Sequence, residues 1–225
     1  MSEKTAIIIA HYDEPEYLNL FLQSIKVCSK LNEYEIIIID NKSELENSQK
    51  LFESIRNLDN YQIIHNDEEK SFSQSMIQGI DYVSPDSEYL VFSHSDNIIL
   101  NKNWLDFLIG SEIDNKQLGA ICVGPMITYT GPGGKERSGP NYNFLFTKKS
   151  IFEGVGRFAY RDCDNIGMFL GYQHQLQEID KEILMANPLS FLHHYNLKKV
   201  THDEKTEDIH KFNSLFIDRT RKYPT

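Results

Sequence analysis

Apolar positions fall into two alternating patterns over the first hundred residues. Residues 6–10 and 36–39 are short apolar runs with no polar alternation. Between them, residues 15–29 place Leu18, Phe21, Leu22 and Ile25 at helical spacing. Residues 45–55 repeat the helical pattern, 61–64 read as a weaker strand, 73–83 as a third helix and 89–92 as a fourth strand. Strands apolar on both faces and separated by helices predict an α/β fold. Its central sheet is mainly parallel, with helices on both faces in a Rossmann-like arrangement and right-handed crossovers.

Helix starts sharpen these boundaries. Asp13, followed by Pro15 and Glu16, reads as the N-cap of the first helix, and Ser43 with Glu46 as the capping box of the second. The second half is less regular. Residues 117–123, 142–147 and 187–194 read as strands. Residues 130–140 contain Gly131-Pro132-Gly133-Gly134 and Ser138-Gly139-Pro140 and read as a mobile loop without regular structure.

The chain has 225 residues, 40% hydrophobic and 25% charged, which suits one domain with a full core. We divide it into a ligand-binding half, 1–115, and a second half, 116–225, ending in the short basic tail Arg219-Thr220-Arg221-Lys222. Net charge is -10, from 33 acidic and 23 basic residues, a field that repels phosphate backbones and argues against nucleic acid as a partner. Cys28, Cys122 and Cys163 form no CxxC pair, and read as inert thiols of a reducing compartment. The first apolar run is too short for a signal-peptide core, and no stretch approaches the ~20 residues that cross a bilayer. A soluble cytoplasmic protein is expected.

Polar groups gather where the strands end. His11-Tyr12-Asp13 follows the first, Asp40-Asn41 the second, His65-Asn66-Asp67 the third and Ser93-His94-Ser95-Asp96-Asn97 the fourth. Open parallel sheets bind ligands beyond the carboxyl ends of their strands, so this rim is the candidate site. Neither GxGxxG nor GxxxxGK[ST] is present, which excludes the dinucleotide and P-loop fingerprints. Acidic rim groups suit hydroxyls, base amides or a hard divalent cation, and a metal would bridge them to a diphosphate. Tyr12 is placed to stack on a base. Asp40 ends an apolar strand whose following helix already has Ser43 as its cap, so capping does not explain it. Asp13 fits a cap better than a ligand contact, and His65 and Asp67 fit a surface turn. Asp96 stands between a buried strand and Ile98-Ile99-Leu100, which favours a metal or diphosphate role over a plain turn.

These clusters, in this order, resemble the inverting glycosyltransferases of family 2, which share the GT-A nucleotide-diphospho-sugar-binding fold. Residues 5–25 resemble that family's opening strand, polar turn and helix, and 34–43 its second strand ending in Asp-Asn. YLVFSHSDNIILNKNWL, at 89–105, resembles the strand, DxD motif and Trp-Leu helix. NFLFTKKSIFEGVGRF, at 143–158, resembles the acceptor-side strand and helix. Arg161-Asp162-Cys163-Asp164 falls where the family has its Glu-Asp-x-Asp catalytic segment, and Phe191-Leu192-His193-His194 resembles the late strand with a metal-binding His.

The resemblance implies roles. His11, Tyr12, Asp13, Asp40, Asn41, His94, Ser95 and Asp96 would bind the donor, a nucleotide-diphosphate sugar. Asp96, with His193 or His194, would hold Mn2+ or Mg2+. Asp162 would be the general base, with Asp164 its rival. The acceptor would be a hydroxyl of a glycan or lipid-linked glycan. The compact length suggests that acceptor recognition draws on a partner, on a membrane surface at the inner face or on a homodimer.

Three positions depart from the family pattern. His94 replaces the first Asp of DxD, which turns metal preference toward softer ions. Arg161 replaces a Glu and would lower the pKa of Asp162. Met76-Ile77 stands where Arg-Asn is usual, although Gly79 is retained. A non-catalytic nucleotide-sugar-binding protein or partner subunit is the alternative. A nucleotidyltransferase is a third reading, disfavoured because Asp13-Glu14 replaces a basic triphosphate loop.

Overall fold

Residues 6–9 lie fully buried in the middle of the first strand, β1 (Lys4–His11). The computed structural model describes residues 4–30, 33–55, 60–123, 126–130, 136–140, 144–158, 165–186 and 192–194. After β1 come α1 (Pro15–Cys28), β2 (Tyr34–Asp40), α2 (Leu45–Ile55), β3 (Tyr61–His65), α3 (Phe72–Ile80) and β4 (Ser87–His94). The expected alternation is therefore present through the first half.

The chain continues through β5 (Asn97–Ile99), α4 (Trp104–Asp114), β6 (Leu118–Val123), β7 (Met126–Thr130), β8 (Glu136–Pro140) and β9 (Phe144–Lys148). Then follow α5 (Lys149–Gly154), α6 (Asn165–Gln177), β10 (Glu182–Ala186) and β11 (Leu192–His194). The main sheet has the order β10-β6-β9-β4-β1-β2-β3. Its neighbours are parallel except that β9 runs antiparallel to both β4 and β6. The sheet thus continues across the junction of the two halves.

Both faces of the sheet are covered, which is why β1 and β2 carry unbroken apolar runs. On one face Ile7, Ile9, Ile36 and Ile38 meet Leu18, Phe21, Leu22 and Ile25 of α1 and Trp104 and Leu108 of α4. On the other Ile8, Ile37 and Ile39 meet Met76 and Ile80 of α3, with Phe152 and Tyr172 from α5 and α6 in the same cluster. Met76 is fully buried, so this departure from the family pattern fills the core. Gly79 lets α3 approach β1 closely: a Cβ there would lie 2.4 Å from Cγ2 of Ile8.

One expectation changes, and two further elements are added. Residues 136–140 are a strand, not irregular loop: β8 pairs antiparallel with β7, in register from Thr130 opposite Glu136 to Met126 opposite Pro140. Pro140 is accommodated at the strand end, where a missing N–H costs little. Helix α6 and strand β10 were not anticipated. In α6 the buried residues Met168, Tyr172 and Leu176 recur every four residues, but Gly167 and Gly171 weaken the helical signal. The late strand is present as the three residues of β11, and 187–191 lie outside the described residues.

Buried thiols behave as expected. Burial pushes the Cys28 thiol up to about 11 and raises that of Cys122 well above its ordinary value. Cys163 and the basic tail lie outside the described residues. Among the described residues no helix is long and apolar enough to cross a membrane.

Candidate functional site

Register brings the predicted rim together. His11 at the end of β1 is opposite Asp40 of β2, and Asp40 is opposite His65 of β3. Ala10 is opposite His94 of β4. Four strand ends therefore open on one edge of the sheet.

Asp40 is almost fully buried and its carboxylate is fully engaged. Oδ1 accepts the Ser43 backbone N–H at 3.3 Å and the Ser43 hydroxyl at 2.5 Å. Oδ2 accepts the Ser48 hydroxyl at 3.1 Å and lies 2.8 Å from Nδ1 of His65. Four partners use about the full acceptor capacity of a carboxylate. Asp40 thus ties the start of α2 to the end of β3. His65, expected as a plain turn residue, is part of this assembly.

Asp13 does not cap α1. That helix starts at Pro15 with Glu14 as its N-cap and no side-chain capping bond. Asp13 instead serves α2: its Oδ1 accepts the Glu44 backbone N–H at 2.6 Å and the Asn47 amide at 3.1 Å. Its own backbone lies in the left-handed region, at φ 49, which turns the side chain across to the neighbouring loop. Ser43 is likewise not the N-cap of α2, because the first helical carbonyl acceptor is that of Glu44, bonded by Ser48 N–H. The Ser43 hydroxyl bridges instead, accepting the Asp13 N–H at 2.8 Å while donating to Asp40. Capping by nearest sequence neighbour gives way to capping by the adjacent loop.

Asn41 is committed to the loop after β3. Its Nδ2 donates to the Lys70 carbonyl at 2.6 Å and its Oδ1 accepts the Lys70 N–H at 2.8 Å, a two-way bracket. Just beyond, Ser71 caps α3 in a capping box with Gln74. The bracket and the cap together fix the entry of α3.

His11 is 1% exposed and neither ring nitrogen has a hydrogen-bond partner among the described residues. Burial lowers its pKa to about 4, against the opposing pull of Asp40, Asp13 and Glu16. It is therefore neutral at physiological pH. Tyr12 is the reverse case, 54% exposed at the mouth of the site, with its phenol pKa raised chiefly by Asp13.

The β4 end is a braced turn. The Asn97 amide donates to the Ser93 hydroxyl at 2.8 Å and to the His94 carbonyl at 3.3 Å, across Ser95 and Asp96, which are half-buried. The strand after it is pinned to α1, because the buried Ser24 hydroxyl accepts the Ile99 N–H at 2.9 Å. The His94 ring stacks face to face on Phe72, centroids 4.2 Å apart and planes 8° apart. β11 pairs antiparallel with β5, setting His194 opposite Asn97 and His193 opposite Ile98. The backbone therefore brings His194 beside the residue that follows Asp96. Asp162 and Asp164 lie outside the described residues.

The sequence matches the Glycosyl transferase family 2 profile over residues 6–176. The chain belongs to that family. No curated protein matches it by sequence. Solved structures share its fold at low identity. A mannosyltransferase from Pyrobaculum calidifontis, in complex with GDP-Man and Mn2+, superposes with a TM-score of 0.64 at 10% identity, over 83% of this chain and 55% of that one. TarS of S. aureus (residues 1–349) gives 0.61 at 13% identity, over 95% and 65%. The synthase of 4-diphosphocytidyl-2C-methyl-D-erythritol from Anaerococcus prevotii gives 0.60 at 12% identity, over 95% and 100%. The matched part of the family 2 chain thus spans little more than half of the mannosyltransferase chain.

Several site residues were not legible beforehand. Asn47 and Lys70 meet partners from other loops, Asp13 and Asn41, and nothing local marks Ser48 as a partner of Asp40. Phe72 reads as one more apolar residue of α3, although it underlies the position of the first DxD residue. Among the described residues no three His, Cys, Asp or Glu side chains form a set that could hold a metal. The donors would be the Asp96 carboxylate and the imidazoles of β11, whose His194 is opposite Asn97 in the register. That mixed oxygen and nitrogen donor chemistry fits an ion such as Mn2+ whose remaining positions a ligand would fill.

Proposed function

We propose that this family 2 chain is a glycosyltransferase. It takes a sugar from a nucleotide diphosphate and transfers it, with inversion, to a hydroxyl of a glycan or lipid-linked glycan. The observation that carries the reading is the one sheet edge at which His11, Asp40 and His94 end neighbouring strands, in a chain that matches the family over residues 6–176.

Tyr12 offers an exposed ring on which a base stacks. Asp40 and Asp13 act through the loop they brace, holding the rim so that little reorganisation accompanies binding. Asp96, with His193 or His194, would hold Mn2+ or Mg2+, which supplies positive charge against the departing diphosphate. Asp162, or Asp164 in its place, would accept the proton of the attacking hydroxyl. In-line attack on the face opposite the leaving group inverts the anomeric centre.

Thermal stability against a panel of nucleoside diphosphates, each with Mn2+, Mg2+ or EDTA, tests the reading without a known acceptor. Binding to the native state alone raises the midpoint. A metal-dependent rise with one nucleotide is expected. No rise with any nucleotide or metal would sink the proposal. The second reading, a non-catalytic nucleotide-sugar binder, is favoured by His94 at the first DxD position and predicts a rise with neither transfer nor donor hydrolysis.

A further inference from the structure

Strands β6 and β9 are antiparallel neighbours in the main sheet, and Val123 at the end of β6 is opposite Phe144 at the start of β9. A turn of about two to five residues would join such a pair. The chain instead runs through residues 124–143, which carry β7 and β8 as a separate two-stranded sheet. Long insertions at one edge of a domain carry function more often than stability.

The insertion is rooted at the rim. Phe144 is opposite Ser93, the residue before His94, so both ends of the insertion leave the sheet beside the end of β4. Along the edge the strand order is β6, β9, β4, β1, β2. Tyr12 and Asp40, the nucleotide side of the proposed site, follow β1 and end β2. His94 and Asp96 belong to the end of β4. The hairpin is therefore rooted across β4 from the nucleotide side, where the sugar and its acceptor would follow the diphosphate.

Within the hairpin Tyr129 is opposite Arg137, and Thr130 is opposite Glu136. Opposite residues of an antiparallel ladder share a face and consecutive residues alternate, so register places Tyr129 with Arg137 on one face and Glu136 on the other. An aromatic ring suits the apolar face of a sugar, and a guanidinium suits the planar fork of a carboxylate or phosphate. The chain carries a net charge of -10, and Asp96 lies three residues beyond the position that Phe144 pairs with. A negatively charged acceptor would be repelled there without a local cation, and a neutral one would need none.

We propose that the β7–β8 hairpin binds the acceptor and selects one with an anionic group, phosphate or carboxylate, on or beside the sugar that carries the attacked hydroxyl. Arg137 is assigned the anion and Tyr129 the sugar ring, from their shared register position on a hairpin rooted beside the end of β4. This inference rests on the glycosyltransferase reading above and names the class of acceptor for it.

The test is a ligand-observed NMR titration of the whole chain with glucose, glucose 6-phosphate and glucuronate, in the presence of Mn2+ and the nucleoside diphosphate that stabilises the protein. At least one anionic probe is expected to bind about tenfold more tightly than glucose, and which one does so separates phosphate from carboxylate. Arg137→Gln is expected to remove the preference. Arg137→Lys is expected to keep part of it, because the charge remains and the fork is lost. Tyr129→Ala is expected to weaken all probes alike, and Tyr129→Phe to stay within about twofold of wild type. No anionic preference in the wild-type protein, with or without measurable binding of glucose, would overturn the proposal. So would a preference that survives Arg137→Gln unchanged. Both results leave the nucleotide reading intact, whereas a chain that binds no nucleoside diphosphate would overturn both.

Discussion

The carboxylate of Asp13 accepts the backbone N–H of Glu44 at 2.6 Å, across 31 residues of sequence. A residue at the entrance of one helix thereby caps the next. The loops after β1 and β2 become one unit, and Tyr12 rides on it.

Removal of this long-range cap has a measurable cost. Asp13→Ala is expected to destabilise the protein by about 1 kcal/mol, the usual cost of losing an N-cap. Asp13→Asn keeps an acceptor oxygen and is expected to lose less. Urea unfolding of the two variants checks the order, and equal losses would contradict the capping role.

Asp40 is a stronger case because its carboxylate is itself buried and four groups share it. Asp40→Asn sets an amide N–H against groups that now donate to the carboxylate, and is expected to cost about 1–3 kcal/mol. His65 is 40% exposed at its side chain, so water replaces much of what it loses. His65→Ala is therefore expected to cost clearly less than Asp40→Asn in the same denaturation experiment. The reverse order would show that the imidazole, not the two serines, anchors the carboxylate.

His11 makes the protein acid-sensitive. Its pKa falls from 6.5 to about 4 on folding because burial disfavours the charged ring. The unfolded chain therefore takes up the proton first, and stability falls as the pH drops from about 6.5 toward 4. This contribution is constant well above that window. The loss by pH 4 is on the order of 3 kcal/mol. His11→Leu is expected to flatten that part of the stability profile, measured by urea midpoints between pH 7 and 4. An unchanged slope would show that other groups carry the effect.

Gly79 sets the distance between α3 and β1. Gly79→Ala places a methyl 2.4 Å from Cγ2 of Ile8, a contact that forces one element to move. A loss of about 1–3 kcal/mol is expected, as for other overpacked cores. Combination with Ile8→Ala is expected to be less than additive, because the second change makes room for the first. Strict additivity of the two unfolding free energies would rule the clash out.

The proposed function makes sugar transfer separable from nucleotide binding. Asp162→Asn is expected to abolish sugar transfer while nucleotide binding stays nearly intact, as for loss of a general base. Persistent turnover would pass the role to Asp164. Asp96→Asn is expected to remove the metal-dependent part of nucleotide binding instead, and His94→Asp to strengthen it. Metal titrations of the two variants give the readout.

The apolar runs of β1, β2 and β4 were readable because burial on both faces leaves no polar position in a strand. Asp40 stood out for a related reason, being the polar residue that ends such a run. Local readings failed where a local partner was assumed. Asp13 and Ser43 each precede a helix and each carry a capping group, yet neither caps the helix expected of it. Residues 136–140 look irregular by themselves and become a strand because 126–130 lie alongside.

In the first half, the order of strands and helices, and the polar chemistry waiting at the strands' carboxyl ends, were set by the sequence alone, since hydrophobic periodicity is a property of neighbours in the chain. Which of those polar groups satisfy one another was decided only in three dimensions. Asp40 meets His65 across 25 residues, Asn41 meets Lys70 across 29 and Asp13 meets Glu44 across 31. Hydrogen bonds are short and directional, so a partner is chosen by where the sheet places the next loop, and that placement exists only once the strands have paired.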